Sequence, residues 1–482
     1  MSGGPEPARP PRRPQGLAAG SLRFLGSTAI SVGIQAPTAG IVFLPALMAG
    51  IVGTRGPLAF ALALAAMLPV AYVFGMFSSE FSTAGSVYAF NGAALGPTVG
   101  FLSGWMLLAT YTLYASATVA GTTNVARALL GSAGIHPPWV AVAVVLLVAG
   151  WTISHRAVRV SAGWILALEA VALTLVAVIG VLVVVRGGYH GHASLAAPFD
   201  PAGLTVNLLV LGMVFAYTGF SGFEGAATCG EEVRRPRRVI PHAILVSLLV
   251  GGGAYVFGSW VETIAFPSAR VLAGHSVPLV AVARLYLSPD AATAVNVAAL
   301  VSSFGAQLAT LNAASRLLFA LSRDGFITSR LATVHPRHRS PARAVAVVAA
   351  VALAGVLALA GTSPLAAFTA TATWGADLIV GVYGLTTLAA ATYLIRRRRR
   401  PFGIAVSLVG LAVLGLILEQ TVVPLPAFPF DLLLGLAGAS VAVGLAIPLA
   451  FPGYRHHLAQ SPLFRPQQER RRLAVDAAIG VE

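Results

Sequence analysis

Two glycine-rich interruptions inside apolar stretches hold the residues best placed for chemistry. The first reads Ser31-Val-Gly-Ile-Gln-Ala-Pro-Thr-Ala-Gly40, and the second Phe215-Ala-Tyr-Thr-Gly-Phe-Ser-Gly-Phe-Glu-Gly225. A helix broken in hydrocarbon leaves N–H and C=O groups that only protein, water or a ligand can satisfy. The start of a half-helix offers N–H donors and partial positive charge; the end of one offers carbonyl acceptors. Together they suit a small zwitterion. Gly33, Ile34, Gln35, Ala36, Pro37 and Thr38 are the first set, with Pro37 fitting an opening helical turn. Phe215, Tyr217, Thr218, Gly219, Phe220 and Ser221 are the second, with Gly219 expected to give backbone room beside a ligand. Phe220 and Phe223 are candidate lids, and Tyr111 and Tyr114 candidate hydroxyl donors to a ligand carboxylate. The competing reading is a proline kink with glycines that let helices pack closely.

Ionisable residues inside apolar spans are the next candidates. Glu169 and Asp377 fall mid-span, and Glu80 and Glu224 nearer span ends. Glu169, Glu224 and Asp377 are candidates to carry a coupling proton, against static hydrogen bonds to neighbouring helices. Ser302 and Ser303 have the chemistry to help ligate sodium, less expected than a proton. His335 and His338 lie in an Arg-Pro-rich loop that reads as a solvated basic patch, and no metal site is expected. Neither an H-E-x-x-H nor a G-x-S-x-G motif occurs, so neither enzyme class signalled by them is indicated and no cofactor is expected.

These residues need membrane-spanning elements to hold them. The 482-residue chain is 57% hydrophobic and 10% charged, with mean hydropathy +0.83, against about 25% charged in soluble domains. Twelve stretches are candidate spans, near 27–50, 57–78, 99–130, 138–153, 159–185, 203–229, 240–262, 292–321, 342–361, 365–395, 402–422 and 431–452, the fourth being short. Residues 1–24 read as a disordered cytoplasmic tail without an apolar signal, and 453–482 as a basic tail. The single cysteine, Cys229, excludes an internal disulfide.

All 31 basic residues are arginine. They alternate with the spans, which argues against nucleic acid as the partner. Clusters at Arg9–Arg23, Arg156–Arg159, Arg234–Arg238, Arg323–Arg343 and Arg396–Arg400 fall on one side; Arg55, Arg127, Arg186, Arg270 and Arg284 fall on the other. The positive-inside rule then places both termini in the cytoplasm, with some arginines near anionic headgroups of the bilayer.

The interruptions fall in spans one and six. That spacing suggests repeats over 25–200 and 201–395, inverted relative to each other, followed by two extra spans over 396–452. The stretch Gly222-Phe-Glu-Gly-Ala-Ala-Thr-Cys-Gly-Glu-Glu-Val-Arg-Arg-Pro-Arg-Arg-Val-Ile-Pro-His-Ala-Ile244 resembles the sixth span and following loop of amino acid permeases in the amino acid–polyamine–organocation superfamily. Asn312-Ala-Ala-Ser-Arg-Leu-Leu-Phe-Ala-Leu-Ser-Arg-Asp-Gly325 is similar to the end of that family's eighth span. Ala84-Gly-Ser-Val-Tyr-Ala-Phe, Leu95-Gly-Pro and Gly100-Phe-Leu-Ser-Gly-Trp105 add a third likeness. Span one departs from the family's Gly-x-Gly-Ile-Phe, with Pro37 in place of a small flexible residue.

The resemblance implies an all-α membrane protein with a LeuT-like fold, its ten core helices in a 5+5 inverted repeat with helices 1 and 6 broken around the substrate. It implies a secondary carrier of amino acids or related amines at the plasma membrane, driven by a proton gradient or by exchange. Some family members carry a span-five lysine that mimics a bound cation; here that span has Glu169. A receptor or channel on the same scaffold is the alternative. With no acidic side chain evident beside the interruptions, cationic substrates are disfavoured.

Overall fold

The computed structural model describes residues 17–450 apart from 82, 157, 276, 398–400 and 424. Both distal tails and Arg398–Arg400 therefore lie outside the described residues. Among those described, the chain is helical, with one isolated bridge pairing Leu22 and Val233 in place of strands.

The first expected span is three pieces, α1 (Phe24–Gln35), α2 (Pro37–Ile41) and α3 (Leu44–Val52). Then follow α4 (Gly56–Glu80), α5 (Val87–Leu95), α6 (Pro97–Ser132), α7 (Trp139–Ser154) and α8 (Val158–Val185). The sixth span is α9 (Val206–Phe220) continued by a 3-10 segment, Phe223–Cys229. Beyond it lie α10 (Pro236–Ala265), α11 (Ala269–Ala273), α12 (Pro278–Tyr286), α13 (Pro289–Arg323), α14 (Ala342–Ala358), α15 (Pro364–Arg396), α16 (Pro401–Val422) and α17 (Phe430–Ala450).

Helix starts follow local chemistry. Proline occupies the first turn of α2, α6, α10, α13 and α15, where its missing N–H costs no helical bond. The hydroxyls of Thr205, Ser288 and Ser363 cap α9, α13 and α15 by accepting from N–H groups three residues on.

Among the described residues each of the twelve expected spans falls on helix, and eight helical stretches are both long and apolar enough to cross a bilayer. The differences have physical causes. Helices α7 and α14 have 16 and 17 residues, short of the roughly 20 a perpendicular span needs. Span one is broken, and α6 is interrupted along its length by Ser, Thr and Tyr hydroxyls.

The most extensive packing sets α10 on α4, and α13 and α15 on α6. Helix α1 lies among α8, α10, α13 and the 3-10 segment, so both interruptions meet in the interior. Part of the stretch read as a disordered tail is ordered. Leu17 and Leu22 are buried. The Leu22 N–H donates to Glu232 O (3.0 Å), and its carbonyl accepts from Arg234 N–H (2.8 Å).

Candidate functional site

The break between α1 and α2 is a single residue. Ala36 adopts a left-handed conformation (φ 44°, ψ 58°) between α1 and α2, and Pro37 opens the outer half-helix as its sequence position suggests. Contrary to expectation, the opening donors of α2 are all taken by protein. The Thr38 N–H and hydroxyl donate to Glu169 Oε1 (3.1 and 2.9 Å), Ala39 N–H donates to Ser302 Oγ (3.3 Å), and Gly40 N–H returns to Ala36 O (2.9 Å). Ser302 in turn donates to Glu169 Oε2 (2.6 Å). Glu169, on α8, thus clasps α2 to α13. A carboxylate of the protein stands where an anionic ligand was expected.

The break in span six lies at Ser221 and Gly222. Gly222 has φ +105°, and a Cβ there would overlap the Ile34 side chain, so only glycine lets the two breaks touch. Ser31 Oγ adds a bond between them, accepting from Ala226 N–H (2.8 Å). Glu224 lies within the 3-10 segment near the end of span six and is fully buried. Its carboxylate accepts from the Tyr111 hydroxyl (2.6 Å), the Tyr383 hydroxyl and the Gly222 N–H (3.1 Å). An acidic side chain therefore does stand at the interruption, which removes the sequence argument against cationic substrates. The sequence singled out Glu224 as a coupling candidate but did not place it beside the interruption.

The remaining candidates divide between chemistry and packing. Tyr114 Oη and Ser221 Oγ are 2.9 Å apart. The Thr218 hydroxyl donates to Phe215 O (2.6 Å). Tyr217 is buried edge-on to Tyr383, its hydroxyl without a partner among the described residues. Gln35 gives its carbonyl to the Tyr255 hydroxyl (2.7 Å), while its buried amide lies against Gly251 without a hydrogen bond. Gly33 packs helices: a Cβ there would lie 2.6 Å from Ile165 and 2.9 Å from Ala309. A Cβ on Gly219 would lie 3.0 Å from Leu44 and 3.1 Å from Tyr255, so this glycine serves close packing rather than opening room at the break. Phe220 meets Phe60 and Tyr255 edge to face, and Phe223 meets Phe74 edge to face and Tyr383 at a tilt, so both rings are taken up in helix packing. Glu80 accepts from the Tyr393 hydroxyl and is structural.

Asp377, on α15, is half-buried with no hydrogen-bond partner among the described residues. It lies within electrostatic reach of Tyr114. Sequence reasoning missed Tyr383, Tyr255 and Gly222 because their roles depend on which helix faces which. Beyond the 3-10 segment, Arg316 and Glu232 form a fully buried ion pair, and the Arg316 guanidinium also donates to Asn312 O and Oδ1 (both 2.9 Å). Glu231 pairs with Arg323 on the same face (2.7 Å).

The amino acid permease family model matches residues 22–440. The chain is 29% identical over 303 residues to the methylthioribose transporter of Bacillus subtilis (strain 168), covering 59% of this chain and 63% of that protein. It is 30% identical over 313 residues to the low-affinity putrescine importer PlaP of Escherichia coli (strain K12), covering 63% and 67%. To the branched-chain amino acid permease BcaP of B. subtilis it is 28% identical over 303 residues, covering 60% and 64%.

Proposed function

The chain belongs to the amino acid permease family, and from that premise we propose that it is a secondary carrier of amino acids or related amines. The observation that carries this reading is the meeting of two helix breaks, Ala36 and Gly222, around buried polar groups in the interior of a multi-pass membrane protein. Paired broken helices at corresponding positions mark substrate sites in transporters built from inverted repeats. The element order supports a LeuT-like arrangement: α1 to α8 supply spans one to five, α9 to α15 spans six to ten, and α16 and α17 the two additional spans.

The buried Arg316–Glu232 pair and the Leu22–Val233 bridge close the cytoplasmic side of the breaks. Opening them would admit the cytoplasm to Ser221 and Glu224, and re-forming them would reset the carrier. The arginine bias supports a plasma-membrane orientation with both termini in the cytoplasm.

Coupling is assigned to Glu169. Its two oxygens accept three hydrogen bonds, which suits the ionised form. A carboxyl proton on Oε2 would face the Ser302 hydroxyl, which must then turn to accept. Protonation thus reverses the bond to Ser302 and removes the charge that the Thr38 donors on α2 face, which weakens the clasp. A ligand shifts a conformational equilibrium only through differential affinity for its states, and a proton at Glu169 meets that condition. Ser302 is engaged by this carboxylate, which favours proton over sodium.

Counterflow tests the reading. Proteoliposomes preloaded with excess unlabelled amino acid or amine should take up the labelled compound transiently above equilibrium. Binding without any exchange, across amino acids and amines alike, would refute a carrier and favour a receptor.

A further inference from the structure

Helix α10 carries an acid that neither the breaks nor the coupling assignment uses. Gly251, Tyr255, Gly258 and Glu262 recur every three or four residues and so share one face of α10. That face covers the break in span one. A Cβ on Gly251 would meet the Gln35 amide, the Tyr255 hydroxyl donates to Gln35 O (2.7 Å), and a Cβ on Gly258 would lie 2.6 Å from Ile41 in α2. Glu262 is the next residue along this face, at the end of α10 away from Glu232. Just beyond it α11 packs on α3, and α3 packs on α9, so the later pieces of span one close this end of the bundle.

The Glu262 carboxyl is fully buried, and neither oxygen has a hydrogen-bond partner among the described residues. The charged and titratable groups of the elements packed on this half of α10 are exposed or engaged elsewhere. Arg270 on α11, Arg284 on α12, and His190, His192 and Asp200 are exposed. Tyr286 donates to Ala265 O (3.5 Å), and His275 lies against the Phe266 ring. Arg55 and Arg186 donate to the carbonyls of Asp200 and Tyr286. Glu169 on α8 is held by Thr38 and Ser302, and Tyr217 on α9 lies against Tyr383. Tyr72 and Glu80 lie about four turns or more along α4 from Gly56, which packs on Ser259. Helices α2 and α3 carry no ionisable side chain. A dry carboxylate with no donor and no cation is so costly that the group takes up a proton instead. Even neutral it bonds to nothing, so it adds no polar contact to this conformer. Its chemistry comes into use only when water reaches it.

We propose that Glu262 is a proton-binding site governing the closure opposite the Arg316–Glu232 pair: its carboxylate takes a proton from water as α11 and the later pieces of span one close over it, and returns that proton to the same side when they part. This rests on the carrier reading. It is separate from the coupling assigned to Glu169, because the Glu262 proton goes back to the side it came from. An exposed glutamate titrates at about 4.3, so near neutral pH the parted form is ionised and the closed form carries one more proton. Closure then grows easier by about tenfold for each pH unit of acidification.

The test reads the distance between spin labels at Val185→Cys on α8 and Val271→Cys on α11, both exposed, in the full chain with Cys229→Ser, reconstituted in bilayers. Electron–electron double resonance separates a short, closed population from a long, parted one. From about pH 7.5 to about pH 5.5 the closed-to-parted ratio should rise about a hundredfold. Glu262→Gln, permanently neutral, should stay closed across that window, and Glu262→Asp should restore the pH dependence. Infrared difference spectra give a second measurement that needs no neutral variant: acidification should add a neutral carboxyl stretch that Glu262→Asp shifts. The inference is overturned if the wild-type ratio ignores pH, if Glu262→Gln, shown to be inserted and monodisperse, keeps the wild-type slope, or if Glu262→Asp leaves the infrared band in place. Any of these alongside wild-type counterflow overturns it alone; one distance at every pH, with no exchange of any compound, overturns the carrier reading as well.

Discussion

Glu169→Gln perturbs the coupling group with little change in shape. Its side chain accepts from Thr38 N–H, Thr38 Oγ1 and Ser302 Oγ. A hydrogen bond to a charged group contributes about 1.5–3 kcal/mol and a neutral one about 1 kcal/mol. Removing the charge therefore weakens each bond by about 1 kcal/mol, or about 3 kcal/mol for the three. That corresponds to roughly a hundredfold shift away from the clasped conformation. The amide can keep its oxygen towards Thr38 and turn its nitrogen to Ser302, so the protein should fold and insert. Labelled-substrate uptake into proteoliposomes, with and without an inward proton gradient, is the assay. The variant should lose gradient-driven accumulation and keep counterflow. If it still concentrates substrate in response to the gradient, the three-bond clasp is only structural and the coupling argument fails.

Three further outcomes follow from the geometry. Gly222→Ala must place a side chain at φ +105° and against Ile34, costing more than about 1–2 kcal/mol, so its Tm should fall and transport be lost; Gly384→Ala, facing open space within α15, should hold or raise Tm. Glu232→Gln leaves Arg316 charged, buried and uncompensated, a loss of about 3–5 kcal/mol, and should speed labelling of the neighbouring buried Cys229 by a membrane-permeant maleimide; unchanged labelling would separate this pair from closure. Burial, with His335 and His338 close by, holds His155 below the usual histidine range; the unfolded chain then binds the proton more readily, so stability should be lost as pH falls below about 6.5, and His155→Gln should flatten the dependence of Tm on pH in that window.

The membrane class, the helical segments and the two breaks were legible because apolar runs and their interruption by glycine and proline are local properties. Pro37 is the clearest case, since its ring fixes the start of α2 wherever the rest of the chain lies. What sequence alone concealed was partnership across the bundle. Glu169 is 131 residues from Thr38 and 133 from Ser302, yet bonds both. That contact reverses the expected role of the outer half-helix, whose first donors serve the protein instead of a ligand. Gly219 and Gly222 are equally plausible on the page of the sequence; only the approach of Ile34 separates the glycine that permits the break from the one that packs against Tyr255. Glu224 was visible as a candidate, but its bonds to Tyr111 and Tyr383 were not, because those tyrosines come from helices far apart in sequence.

The central claim is that access to the paired breaks alternates between the two sides of the membrane. It is tested most directly by reactivity on either side of the break in span six, using native Cys229 on the side proposed to face the cytoplasm and, in a Cys229→Ser background, Thr218→Cys, which is half-buried in α9. Across substrate and pH conditions, the two positions should change in opposite directions, one becoming more reactive as the other becomes protected. Reactivities that rise and fall together would contradict alternating access around these breaks.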